Sequence, residues 1–440
     1  MKYALGNMLN GAGGLNADGL SLDLQFATDK TLTARKGPTP AFTRASSGRF
    51  VGSDGLIQSA GNNVARFDHD PVTLACKGLL IEESRTNASL YSGAIVVNTG
   101  WLSSETTSVV DGTGPDGNNA YTVTETSATA IHTIANTGGL VGIAATSVVS
   151  GTVYTGSIFI KKVTGSVDWI QLTLGSGGFG TSQYANFNIN TGAVGNSAGL
   201  ASGTSPRIEN YGNGWYRCSI SVAATATTLV SLNTVLAFIN NTNGTTRTPS
   251  YAGSTSNSVL ASLCQFEAGS FLTSYIPTTT ASLARSADVC SITGSAFSGF
   301  WNNNEGTVFA SGDPRGSAAG STLLMANSGG NSNQIACDRT TTTIKFGVAN
   351  SGSYTASIQQ NSTNASFVKI SGSYATNDAR SALNGVLGTP DTSVIVPTNL
   401  IRLNIGSAGL ASQEFANGCI FAIRYFRKPL SNAKLQSLTV

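Results

Sequence analysis

A chain of 440 residues, 40% of them hydrophobic, can bury a sizeable core, and its length predicts about two to four domains. Only 11% of the residues are charged, against roughly 25% in an average soluble protein, so the polar surface must be built from hydroxyls and amides. The net charge of +3 comes without a basic run, which excludes a nucleic-acid binder of the kind that needs clustered Lys and Arg. No stretch reaches the roughly 18 apolar residues of a membrane span, so membrane insertion is not expected.

The first residues, MKYALGNMLNGAGG, hold one lysine and no apolar run of signal-peptide length, so no export signal is expected. SLDLQFATDKTLT and AFTRASSGRFVGSDGLIQSAGNNVARFDHD follow as short strand-like pieces separated by polar turns. Residues 1–89 therefore read as an extended attachment and oligomerisation segment without a full core of its own. Packing against neighbouring chains would supply that core. The segment ends on Lys77–Asn87, KGLLIEESRTN, a dense run of charge in a charge-poor chain.

From 90 to 285 strand density rises. YTGSIFIKK (Tyr154–Lys162), DWIQLTLG (Asp168–Gly175) and WYRCSISVA (Trp215–Ala223) alternate large apolar with polar side chains, so one face can enter a core while the other meets solvent. The length suits one antiparallel jelly roll. Residues 286–440 form a second strand set, from SADVCSIT through CIFAIRYF (Cys419–Phe426), closed by one short helical turn over Leu430–Leu438. GSGGFG and NSGGNSN read as hairpin loops. The expected fold class is all-β, with two successive β-sandwiches.

The six cysteines, Cys76, Cys218, Cys264, Cys290, Cys337 and Cys419, include no CxxC pair, and the histidines are only His69 and His132. No metal site and no cofactor is expected from them. The long irregular spacings read as buried free thiols and predict folding in a reducing compartment.

The run ARFDHDPVTLACKGLLIEESRTN resembles a segment that recurs in tailed-bacteriophage structural proteins just before a carbohydrate-binding-like jelly roll. The likeness rests on Arg66, Phe67, Gly78, Leu80, Ile81, Glu82, Glu83, Arg85, Thr86 and Asn87. NGWYRCSIS and FEAGSFLTSYIPTTTASLARSAD resemble the closing half of that jelly roll, similar to family 4/9-type carbohydrate-binding domains. EGTVFA, ALNGVLG, IRLNIGS and FANGCIFAIRYFRKPLSNAKLQSL resemble a concanavalin A-like (laminin G-type) domain. The resemblance implies a virion structural protein, folded in the host cytoplasm and exposed on the particle. It further implies a non-enzymatic fibre or surface adhesin contacting host glycans, with other virion proteins as partners and a homotrimeric state. A capsid decoration or head-fibre protein bound to the major capsid protein is the first alternative. A glycan-degrading tailspike is the second.

Candidate sites follow from residue chemistry. Adjacent Glu82 and Glu83 point to opposite faces of a strand and cannot form a facing acid–base pair, which a glycosidase needs at roughly 5–10 Å. They read instead as partners of Arg66 or Arg85 that pin the strand onto the jelly roll. His69 lies between two acids in RFDHD, but there is no GxSxG elbow to complete a triad, so an Asp-stabilised turn is expected at Asp70–Pro71. The acids of GDPRG (Gly312–Gly316) and CDR (Cys337–Arg339) show no ligand set for calcium. Sugar rings stack on aromatic faces, which makes Trp101, Trp169, Tyr216 and Trp301 the candidate carbohydrate-binding residues. Trp215 is a further aromatic of this kind, but Trp215 and Tyr216 sit inside one alternating strand, so at least one of the two is expected in the core, whereas Trp301 sits in polar SGFWNNNEG, where it is expected to be exposed.

Overall fold

The computed structural model describes residues 18–137, 146–315, 320–340, 342–361, 367–409 and 414–440. The fold is all-β, built from antiparallel pairs in two stacked sandwiches. The first is a jelly roll of two six-stranded sheets. One sheet runs in the order Arg207–Asn210, Trp215–Ala223, Val153–Lys162, Ser258–Ala268, Asn119–Glu125, Thr106–Thr113. The other runs Ala193–Ala198, Tyr184–Asn188, Trp169–Leu174, Leu232–Phe238, Thr133–Thr137, Trp101–Ser104. The period-two alternation sends Ile158, Ile160, Ile170, Leu172, Phe187, Ile220, Leu236 and Phe266 into one buried cluster.

The second sandwich packs an eight-stranded sheet on a seven-stranded one. At the centre of the larger sheet lies Gly418–Phe426, paired with Gly306–Asp313 on one side. Its other side is filled by Cys76–Ile81 and Leu20–Leu24. Ala41–Thr43 adds an edge strand to the seven-stranded sheet by pairing with Val289–Thr293. Leu22, Leu24, Phe26, Leu79 and Ile81 enter the same core as Val308, Phe346, Ile370 and Ile423.

This corrects the reading of residues 1–89 as a segment whose core comes from neighbouring chains. Over residues 18–87 the short strands find their partners in this chain. Those partners lie far along the sequence, as in the pairing Leu80 with Cys419, so no local pattern reveals them. Residues 1–17 lie outside the described set. The second sandwich is thus discontinuous, with strands Leu20–Leu24, Ala41–Thr43, Phe67–His69 and Cys76–Ile81 joining those of 286–440 and the jelly roll inserted between, while the hairpin of Gly48–Val51 and Ile57–Ala60 packs Ile57 on the jelly roll. Entry strand Arg85–Asn87 and exit strand Leu283–Arg285 pair antiparallel at the neck.

Gly78 shows why the charged run carries a glycine. Its φ is +93°, and a Cβ there would lie 2.2 Å from the Ile420 carbonyl oxygen, so only glycine lets the two backbones approach. The Asn384–Gly385 turn has φ of 46° and 83°, the left-handed pair a two-residue hairpin needs. The C-terminal helix forms at Asn432–Thr439 and buries Leu435 and Leu438. GSGGFG departs from expectation, because Ser176–Phe179 is a single helical turn that buries Phe179. NSGGNSN links the paired strands Ser321–Asn327 and Gln334–Arg339.

Candidate functional site

The charged run builds a buried clasp where the two sandwiches meet. Arg66, fully buried, reaches Glu82 at 2.8 Å and Asp288 at 2.5 Å. Arg44 holds the other oxygen of Asp288 at 3.1 Å, and Arg285 holds Glu82 at 3.0 Å. Ser274, on the jelly-roll side of the neck, donates its backbone N–H and hydroxyl to Glu82, each at 2.6 Å. Burial pushes the Glu82 carboxyl up, but the charges of Arg285 and Arg66 with the Ser274 bonds outweigh it and hold the group down at about 2. Glu82 stays ionised, and both carboxylates are bonded on both oxygens, which is the arrangement of a fastener.

Glu83 faces the other way, as strand geometry requires. It pairs with Arg85 at 2.6 Å and accepts from the Asn417 side chain at 2.9 Å. Arg85 lies over the Phe271 ring at 4.7 Å and fills the space where a side chain at Gly269 would stand. Asn87 completes the neck. Its Nδ2 donates to the carbonyls of Cys264 and Ile276, and its Oδ1 accepts from the N–H of Ser89 and of Phe266. The roles of Arg44, Asn87, Ser274, Arg285 and Asp288 escape sequence reasoning. The available signal was the pairing of motif with motif, since LARSAD supplies Arg285 and Asp288 and AFTRASSG supplies Arg44.

His69 is buried with Nδ1 3.1 Å from the Val51 carbonyl oxygen. Asp70 caps a turn through the N–H groups of Val72 and Thr73. Asp68 accepts from the Val51 N–H and pairs with Lys77 at 2.7 Å. No serine–histidine–acid geometry forms at RFDHD. Among the described residues no group of three or more His, Cys, Asp or Glu side chains is placed to hold a metal. All six cysteines are free thiols, five buried and Cys76 half-buried.

Two of the four stacking candidates are corrected. Trp101 is 0% exposed, and its Nε1 donates to the Tyr91 carbonyl. Trp301 is 5% exposed and stacks on Tyr425 with ring centroids 4.1 Å apart. Its polar neighbours suggest a loop, but it follows the helix Gly294–Phe300, which folds it onto Phe297 and Phe300. Tyr216 is half-buried with its ring against Gly192. Trp215 is core, beside Phe159 and Ile57.

Trp169 is half-buried and stands at one end of a polar platform. Strand Trp169–Leu174 sends Ile170, Leu172 and Leu174 into the core, so Trp169, Gln171 and Thr173 face outward, beside outward Tyr184 and Asn186. Segment 241–248 lies across this face. Gln171 Nε2 donates to the Thr246 carbonyl at 3.1 Å, and Asn186 Nδ2 to the Gly244 carbonyl at 2.8 Å. The Tyr184 hydroxyl donates to the Thr245 carbonyl at 2.9 Å. Arg247 anchors the segment from below, through the Thr173 hydroxyl and the Leu174 carbonyl. Asn241 fastens the Trp169 end by accepting from the N–H of Asp168 and of Trp169. The exposed side of the segment presents Asn241, Thr242, Asn243, Thr245 and Thr246, and Asn243 meets the indole edge over Gly195.

One buried acid lies away from the junction, in the second sandwich. Asp338 and Glu414 both contact the Thr322 hydroxyl, at 3.0 and 3.3 Å. Burial is the largest influence on Asp338 and pushes its carboxyl up to about 6, with Lys345 at 3.5 Å opposing.

No protein-family description matches the chain, and no curated protein matches it. Among solved structures it is similar to the carbohydrate-binding module (CBM40) of the Ruminococcus gnavus IT-sialidase bound to α2,3-sialyllactose. The identity is 14%, with 31% of this chain and 83% of that one covered, at a TM-score of 0.28. It is also similar to the NanB sialidase of Streptococcus pneumoniae, at 14% identity, 34% of this chain, 26% of that chain and a TM-score of 0.29. The Trypanosoma rangeli sialidase gives 11% identity, 34% and 25% coverage, and a TM-score of 0.26. Overlaps this loose carry no conclusion about activity or ligand.

Proposed function

We propose that this chain is a non-enzymatic structural protein of a tailed-phage particle, a fibre or surface adhesin that contacts host glycans through its jelly roll. The observation that carries the glycan reading is the platform at Trp169. A half-exposed indole adjoins a rigidly bonded strip of amides and hydroxyls, with its one cation, Arg247, turned inward onto Thr173 and Leu174. That is the chemistry of a neutral sugar, whose ring stacks on an aromatic face while its hydroxyls exchange hydrogen bonds with uncharged groups.

The virion reading is supported by the motif resemblance, whose residues Arg66, Glu82, Glu83 and Arg85 are the ones that fasten the jelly roll to its base. A display module on a stiff mount suits recognition by surface loops. A single such site binds weakly, and repetition in a homotrimer raises avidity by roughly 10²–10⁴.

The test has two arms. The full chain is screened on an array of bacterial surface glycans, and labelled antibody against it is imaged on purified particles. Binding to a glycan set together with labelling at the tail tip supports the reading. Labelling over the capsid replaces it with the decoration alternative. Release of reducing ends from host polysaccharide replaces it with the tailspike alternative.

A further inference from the structure

The junction of the two sandwiches forms a half-open pocket of about 80 Å³. Its walls gather an unusual share of the charge in this chain: cations from Arg49, Lys77, Arg207, Arg217 and Arg315, acids from Asp68, Glu82 and Glu209. The acids are spoken for. Asp68 pairs with Lys77 at 2.7 Å, and Glu82 belongs to the clasp with Arg66 and Arg285. Glu209 meets Arg315 at 3.5 Å, and Arg315 also holds Asp313 at 3.0 Å.

Arg49, Arg207 and Arg217 are left without a carboxylate at ion-pair distance among the described residues. Arg217 is the telling one. It is only 3% exposed, so its charge is withdrawn from water. Its Nε and Nη2 reach the Ser157 hydroxyl at 3.3 and 3.2 Å, and Nη1 donates to the Thr273 carbonyl at 2.9 Å. These bonds account for three of its five N–H donors. The buried carboxylate of Glu267 does not compensate it by contact, since its oxygens accept from Thr273 N, Thr273 Oγ1 and Gln265 Nε2. A buried guanidinium without a counter-charge is costly unless something supplies one.

We propose that the pocket is an anion site, taking one carboxylate, sulfate or phosphate group between Arg217, Arg49 and Arg207 at the joint of the two sandwiches. The size fixes the class. About 80 Å³ has room for several waters or one compact anionic group, and it is far below the roughly 300–1,000 Å³ of a pocket that swallows a whole ligand. The anion is therefore a free inorganic ion or the acidic group of a larger glycan lying along the junction. The site does not depend on the Trp169 platform, which presents amides and hydroxyls on the other sheet of the jelly roll.

The test uses the full chain in calorimetry and thermal melts, with sodium sulfate against sodium chloride at matched ionic strength. A sulfated disaccharide and its unsulfated parent form the second comparison. Saturable sulfate binding absent with chloride is expected, weakened at least tenfold by Arg217→Gln and by the double change Arg49→Ala with Arg207→Ala. Should Arg217→Gln fail to fold, the double variant, whose residues lie nearer solvent, decides. A sulfated disaccharide binding at least tenfold more tightly than free sulfate, with its parent silent, assigns the site to an acidic glycan. Equal affinity for sulfate and the sulfated sugar assigns it to the free ion. A response that never saturates, or that every variant keeps, overturns the site. Loss of neutral-glycan binding in Trp169→Ala, with sulfate binding intact, separates this outcome from failure of the platform.

Discussion

Replacing Arg66 with alanine is the most demanding probe of the clasp. Arg66 is fully buried and touches four groups: the Arg49 carbonyl at 2.8 Å, the Ser274 hydroxyl at 2.8 Å, Glu82 at 2.8 Å and Asp288 at 2.5 Å. Its removal leaves two buried carboxylates sharing fewer cations. Breaking a buried pair from one side costs about 3–5 kcal/mol. Glu82 keeps Arg285 and Asp288 keeps Arg44, so neither acid is orphaned and the value should not exceed that range. Arg85→Ala is the control. Its partner Glu83 has a side chain 29% exposed, so that pair contributes about 1 kcal/mol at most, with a similar amount from the Phe271 contact. Urea unfolding measures both, supported by amide exchange in Cys76–Ile81 and in Val153–Lys162, because a two-sandwich chain need not unfold in one step. Exchange should accelerate in the first strand ahead of the second. Arg66→Ala within about 1 kcal/mol of the parent, or Arg85→Ala costing as much as Arg66→Ala, would show that the clasp does not hold the junction.

Gly78→Ala should cost more than about 1 kcal/mol, because its Cβ meets the Ile420 carbonyl at 2.2 Å with φ at +93°; a urea midpoint equal to the parent's would contradict the close approach. The Asp338 carboxyl sits raised to about 6 in the fold, so its contribution is fully present below its ordinary value near 4 and is lost as pH rises through 6. Asp338→Asn should remove about 3 kcal/mol of that pH dependence between pH 4 and 7, and an unchanged slope would count against it. Glu82 has the opposite sign, since its lowered carboxyl stabilises the fold above about 4.5 and loses that effect as pH falls toward 2. In the folded protein a maleimide should label Cys76 quickly and the five buried thiols slowly. After denaturation without reductant, six labels are expected by mass, and fewer would reveal disulfides.

The all-β class and the jelly roll were legible from the sequence, because alternation in YTGSIFIKK and DWIQLTLG is a local property of each strand. The pairing of charges in KGLLIEESRTN was legible in kind, since adjacent Glu82 and Glu83 must face apart and nearby arginines are their natural partners. The destination of residues 18–87 was not. Strand Leu20–Leu24 pairs with Gly418–Phe426 about 400 positions away, and nothing in SLDLQF encodes the distance. Trp301 misled because its neighbours SGFWNNNEG are polar, whereas burial is set by the aromatic stack on Tyr425. The platform at Trp169 was half visible: the indole stood out, but the strip 241–248 is an unremarkable Asn/Thr stretch until the sheet beneath it is seen.

Calorimetry of the full chain against the glycan selected on the array, with Trp169→Ala and Trp301→Phe side by side, tests whether the Trp169 platform binds glycan. Trp169→Ala should weaken binding at least tenfold, in line with loss of about 1.4 kcal/mol or more, without shifting the urea midpoint. Trp301→Phe should shift the midpoint and leave affinity unchanged, because Trp301 is core. Full affinity in Trp169→Ala, or lost affinity in a still-folded Trp301→Phe, would contradict binding at the platform.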